Sequence, residues 1–87
     1  MADSHSRSGS QYATPEIYAY ADRTHAAHDA ALERAFAAPE KQGMPAIQLG
    51  ASEARLLTLL MQLIGARKVV EVGTLAGYSA LRLARGL

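Results

Sequence analysis

The chain contains no cysteine, no tryptophan and a single phenylalanine among its 87 residues. Without thiols it cannot build disulfides, thiolate metal sites or a cysteine nucleophile, a pattern that fits a cytoplasmic protein. β-Branched aliphatic residues are equally scarce: three Val and three Ile stand against 18 Ala and 11 Leu. That ratio excludes an all-β fold and predicts a mostly helical chain. No charge of either sign dominates, since nine basic and eight acidic side chains leave a net charge of +1. The electrostatic footprint of a nucleic-acid or membrane-surface binder is missing, and neither is expected as a partner. Long hydrophobic runs are missing too. The longest is the 11 residues from Leu56 to Ala66, broken by Thr58 and Gln62, whereas a spanning helix needs about 20. The amino terminus has no apolar stretch behind a basic one, so no signal peptide is expected.

What remains is apolar enough to fold, at 49% of the residues. The length suits one small domain or a piece of a larger one. Residues 1–13, with four serines and almost no apolar side chain, read as a disordered tail or a leader. Thr14 then offers an N-cap, Pro15 a first helical position and Glu16 a first-turn acid. Apolar spacing through Ile17, Tyr20, Ala21 and again Ala31, Leu32, Ala35, Phe36 predicts one or two amphipathic helices over 15–38. They are expected to end at Pro39, with a break near Thr24–Ala27. Residues 14–45 thus form an amino-terminal helical cap. After a Gly/Pro connector, Ala46–Ala51 is expected to be extended.

Ser52 can cap the next helix, and Gly65 can end it in a left-handed stop. Arg55, Thr58 and Gln62 form one narrow polar stripe, so the leucines around it predict a helix buried over most of its circumference. All three valines fall within Lys68–Val72, which predicts a short buried strand. A glycine loop, Gly73–Gly77, and a helix from Tyr78 follow. Helix, strand, glycine loop and helix form the opening of a doubly wound α/β sheet. Arg82 and Arg85 read as helix C-terminal charges.

In such sheets a ligand sits beyond the carboxyl end of the strands. Here that end carries Glu71, an acid costly to bury without donors or a cation. Gly73 allows close backbone approach, Gly77 the turn into the helix, and the free N–H groups of Tyr78 and Ser79 can hold a carboxylate. A dinucleotide fingerprint fails because position 75 is Leu, and a phosphate loop fails because Tyr78-Ser79 replaces Lys-Ser/Thr. An acid before the loop and no base within it suits a cationic ligand. Asp22, His25, His28 and Asp29 are a weaker metal candidate, better read as a solvated helix face. Tyr12, Tyr18 and Tyr20 suit helix packing or a dimer seam better than a substrate pocket.

The run Val70-Glu-Val-Gly-Thr-Leu-Ala-Gly-Tyr-Ser79 resembles motif I of the S-adenosylmethionine-dependent O-methyltransferases of the caffeoyl-CoA and catechol type. The stretches Gly50–Arg67 and Ala80–Arg85 are similar to that group as well. The resemblance implies a Rossmann-like fold, with 46–87 as the first part of a truncated cofactor-binding domain. It also implies methyl transfer to a hydroxyl of a small, phenolic acceptor. Glu71, Gly73, Thr74, Gly77, Tyr78 and Ser79 would then surround the cofactor's methionine end, with Ser79 on its carboxylate and the Leu49 backbone near its amino group. No catalytic or metal residue is implied within this chain. Ribose-binding acid, any ligands for a divalent metal such as magnesium, and a general base would lie beyond Leu87, so the chain alone is not expected to catalyse. A homodimer through the amino-terminal helices is implied too. Two rivals remain open: a non-enzymatic helical module whose strand pairs with a partner, and another nucleotide-cofactor enzyme.

Overall fold

A computed structural model describes residues 14–87. The serine-rich stretch 1–13, and with it Tyr12, lies outside the described residues. Four helices follow in order: α1 (Pro15–His25), α2 (Ala30–Lys41), α3 (Ala51–Leu63) and α4 (Tyr78–Ala84). None is long and apolar enough to cross a membrane.

α1 starts as its first residues dictate. The Thr14 hydroxyl accepts from the Ile17 N–H at 3.3 Å, and Pro15 occupies the first turn, where its missing N–H costs nothing. The expected break falls at Ala26–Asp29. Asp29 then caps α2 by accepting from the Leu32 N–H at 2.9 Å. Pro39 does not end α2, which continues to Lys41 with the proline buried inside it. So near the helix end the ring disturbs only the carbonyl one turn back, that of Ala35, and the helix survives.

α3 departs from expectation in its cap and in the face it buries. Ser52 does not cap it. Gly50 is the N-cap and has no side chain to offer, so Asp22 of α1 accepts from the Ser52 N–H at 3.1 Å and from its hydroxyl. The carboxyl end does follow expectation: Gly65 at φ +63° closes the helix, with Gly65 N–H to Gln62 O and Ala66 N–H to Met61 O. The leucine-rich circumference is not buried. Ala51, Ala54 and Thr58 form the inner face, whereas Leu56, Leu59, Leu60, Leu63 and Ile64 are exposed. Periodicity identifies which side chains share a face; it does not say which face meets a neighbour. Here small residues meet the neighbours, because they let backbones approach. Gly86, just past α4, passes so close that an added Cβ would lie 2.6 Å from the Thr58 carbonyl oxygen and from the Met61 Cβ.

The expected α/β opening is overturned. No β-strand occurs among the described residues, and the four regular elements are all helical. Lys68–Val72 is unpaired among the described residues, with Val70 and Val72 89% and 95% exposed. A strand is defined by the ladder it makes with a neighbour, and β-branched composition supplies propensity without a partner. Of Ala46–Ala51, expected to be extended, residues 46–50 carry no strand and provide no partner, and Ala51 already begins α3.

The core is helical and small. Leu32 of α2, Ala54 of α3 and Tyr78 of α4 are buried together, with Ala35, Phe36 and Leu81 packed around them. α3 and α4 make the most extensive helix contact, with α1 on α3 and α2 on α4. Arg82, expected as a charge near the carboxyl end of its helix, is only 4% exposed. Its Nη2 donates to the Ala26 carbonyl at 2.8 Å, and its own carbonyl accepts from the Thr58 hydroxyl at 2.7 Å. It ties the α1–α2 connection to the α3–α4 pair.

Candidate functional site

The loop before α4 is shaped by three residues with left-handed backbone. Gly73 has φ +80°, Leu75 +52° and Gly77 +86°, and the Gly77 N–H closes a turn on the Thr74 carbonyl at 2.8 Å. Glycine takes such angles freely, but Leu75 pays a steric cost there, so the turn is held by its surroundings. Gly77 is the N-cap of α4.

This loop and the segment before α3 enclose a cavity of about 370 Å³, near the lower end of the range for small-molecule sites, roughly 300–1,000 Å³. Five residues expected from the sequence line it: Leu49, Gly73, Thr74, Tyr78 and Ser79. Gly77 does not line it and acts through the turn. Glu71 does not line it either; the Ser79 hydroxyl on the wall donates to its Oε1. The other oxygen, Oε2, is buried without a hydrogen-bond partner among the described residues. Burying an unsatisfied carboxylate oxygen is costly, and such an atom invites a donor.

Sequence reasoning missed Ile47, Gln48, Leu75 and Ala76, which also line the cavity. Gln48 is the informative one. Its Nε2 donates to the Phe36 carbonyl at 2.6 Å, leaving Oε1 buried and unpartnered among the described residues. A polar side chain between Ile47 and Leu49 was the available signal.

Tyr78 joins the cavity to the core. It is 2% exposed, and its ring meets Phe36 and His28 edge-on at centroid distances of 5.0 and 5.3 Å. Its hydroxyl lies 2.7 Å from His28 Nε2, and His28 Nδ1 lies 2.8 Å from Glu33. With the Nδ1 proton on the Glu33 side, Nε2 accepts from the Tyr78 hydroxyl, which accepts in turn from Arg82 Nη2 at 3.4 Å.

The other candidates disperse. Asp22 braces α3, Asp29 caps α2 and pairs with Arg85 at 2.6 Å, and His28 holds Tyr78. No group of three His, Asp or Glu residues able to hold a metal ion occurs among the described residues. Tyr18 and Tyr20 are exposed on α1 and do not line the cavity, and Tyr20 lies beneath the Arg23 guanidinium at 5.8 Å.

A family model described as O-methyltransferase matches residues 22–87, and the chain belongs to that family. It is 42% identical over 72 residues to a catechol O-methyltransferase of Mycobacterium tuberculosis, an overlap covering 83% of this chain and 33% of that protein. With a catechol O-methyltransferase of Niastella koreensis it shares 44% identity over 59 residues, covering 68% of this chain and 27% of the relative. The chain therefore spans a third or less of the curated relatives it matches. No solved structure matches it.

Proposed function

We propose that this chain carries the part of an S-adenosylmethionine-dependent O-methyltransferase that receives the methionine end of the cofactor, in the cavity between residues 47–49 and 73–79. The observation that carries the reading is the buried, half-satisfied Glu71 behind the cavity wall. The group would supply an electrophilic methyl on a sulfonium centre for transfer to the hydroxyl of a small acceptor, phenolic in the named relatives. The residues fit such a ligand. Glu71 Oε2 and Gln48 Oε1 are acceptors without donors among the described residues, and an ammonium group brings three donors and no acceptor. Gly73 has open space where a Cβ would stand, which leaves room for close backbone approach. The Ser79 hydroxyl donates to Glu71 from the cavity wall, which supports a role for both beside the ligand. Leu49, Thr74 and Tyr78 shape the wall, and Gly77 holds the turn. This chain's residues bind and orient; none is proposed as an acid, a base or a metal ligand, and the chain alone is not proposed to turn over. A homodimer belongs to the same reading.

The test is titration of the chain with S-adenosylmethionine and, separately, with L-methionine, followed by amide spectra. Both ligands should shift the signals of 47–49 and 73–79, and Glu71→Gln should weaken each by at least about tenfold, as loss of a charge-assisted bond does. Shifts that scatter over the surface, or an affinity indifferent to Glu71→Gln, would overturn the assignment.

A further inference from the structure

A second hollow, about 350 Å³, opens between the end of α1, the start of α2 and the facing sides of α3 and α4. It shares no lining residue with the cavity above. Its chemistry is cationic. Arg55, Arg82 and Arg85 line it together with His25 and Thr24, and among the described residues the one acid on its wall is Asp29. That acid is already committed, to the Arg85 guanidinium and to the Leu32 N–H. Among the described residues, three guanidiniums against one carboxylate leave two positive charges uncompensated by the lining.

We propose that this hollow binds a phosphate group. The net charge of the lining matches a dianion, and a set of like charges held this close calls for a counter-charge. Arg82 supplies an independent sign. It is more than nine-tenths buried, lines the hollow, and its Nε has no acceptor among the described residues. A buried guanidinium N–H left unpaired is costly, and an oxyanion would satisfy it. The amino-terminal end of the 12-residue helix α2 opens on the same space, with Asp29 and Leu32 on the wall, and its dipole favours negative charge there. A carboxylate would be saturated by one planar guanidinium. Donors converging from the end of α1, from α3 and from the α4 side suit a tetrahedral oxyanion, which can accept from several directions.

The proposal is tested on the 87-residue chain by titrating sodium phosphate at constant ionic strength, chloride making up the balance. Expected are saturable shifts of the Arg82 Nε–Hε signal and of the Thr24 and Leu32 amides, with Gly73 and Thr74 unmoved. Arg55 is only partly buried and its side chain makes no hydrogen bond among the described residues, so Arg55→Gln should keep the helical spectrum and weaken phosphate by about tenfold or more. A parallel titration with phenyl phosphate separates the sources. Tighter binding than inorganic phosphate assigns the hollow to a phosphorylated small molecule, weaker binding assigns it to the free ion, and either upholds a phosphate site. An Arg82 Nε signal that does not respond, or an affinity unchanged in Arg55→Gln, would overturn it.

Discussion

Asp29 shows how much one surface carboxylate can organise. One oxygen accepts from the Leu32 N–H and starts α2, and the other meets Arg85 beyond α4 at 2.6 Å. The Arg85 hydrogen bond first, and the Leu32 N–H second, lower its pKa from 3.8 to about 2 against a smaller opposing effect of burial. The folded value lies below the unfolded one, so the charge stabilises the fold above pH 3.8, and that contribution is lost as pH falls toward 2. Thermal melts should therefore show a fall in Tm across this window, and Asp29→Asn should lower Tm at neutral pH and flatten the acid limb. An acid limb unchanged in that variant would remove Asp29 from the account. The cap itself was legible, since an Asp three residues before Leu32 at the start of an alanine-rich helix is a capping pattern.

At the scale of elements, the local signals of Thr14, Pro15 and Gly65 held, those of Ser52 and Pro39 did not, and the expectations that needed a distant partner failed. Thr14, Pro15 and Gly65 act on groups within four residues of themselves, so their effects could be read directly from the chain. The face that α3 turns inward depends on what crosses it, and Gly86, more than 20 residues downstream of Met61, decides that crossing. Gly86→Ala should destabilise the chain by about 1–3 kcal/mol, the usual cost of forcing extra volume into a tight contact. Urea unfolding would measure it, and a neutral result would mean that α4 does not seat on Thr58 and Met61. The Lys68–Val72 segment failed as a strand for the same non-local reason, since a ladder needs a second chain segment. The cavity was half legible. The glycine positions and Ser79 announced themselves by spelling, but Gln48 entered only because folding brings its segment against the loop.

The molecule as a whole leaves much apolar surface in water. Leu56, Leu59, Leu60 and Leu63 lie at i, i+3, i+4 and i+7 on α3, and all are exposed, as are Ile64, Val70 and Val72. Exposed apolar surface of that kind is more than a monomer normally tolerates, and the chain should self-associate at micromolar concentration. Light scattering would read this directly. Leu59→Lys with Leu63→Lys should raise the monomer fraction without loss of helical signal, and a wild-type chain that stays monomeric would contradict the expectation. A different consequence follows from Tyr78, whose ring belongs to the interior while the residue also walls the cavity. Occupancy and global stability are then linked quantities. A compound gripping the wall should slow hydrogen exchange at Leu32 and Ala54, residues it never touches, and core variants that loosen the aromatic trio of His28, Phe36 and Tyr78 should lose affinity in proportion.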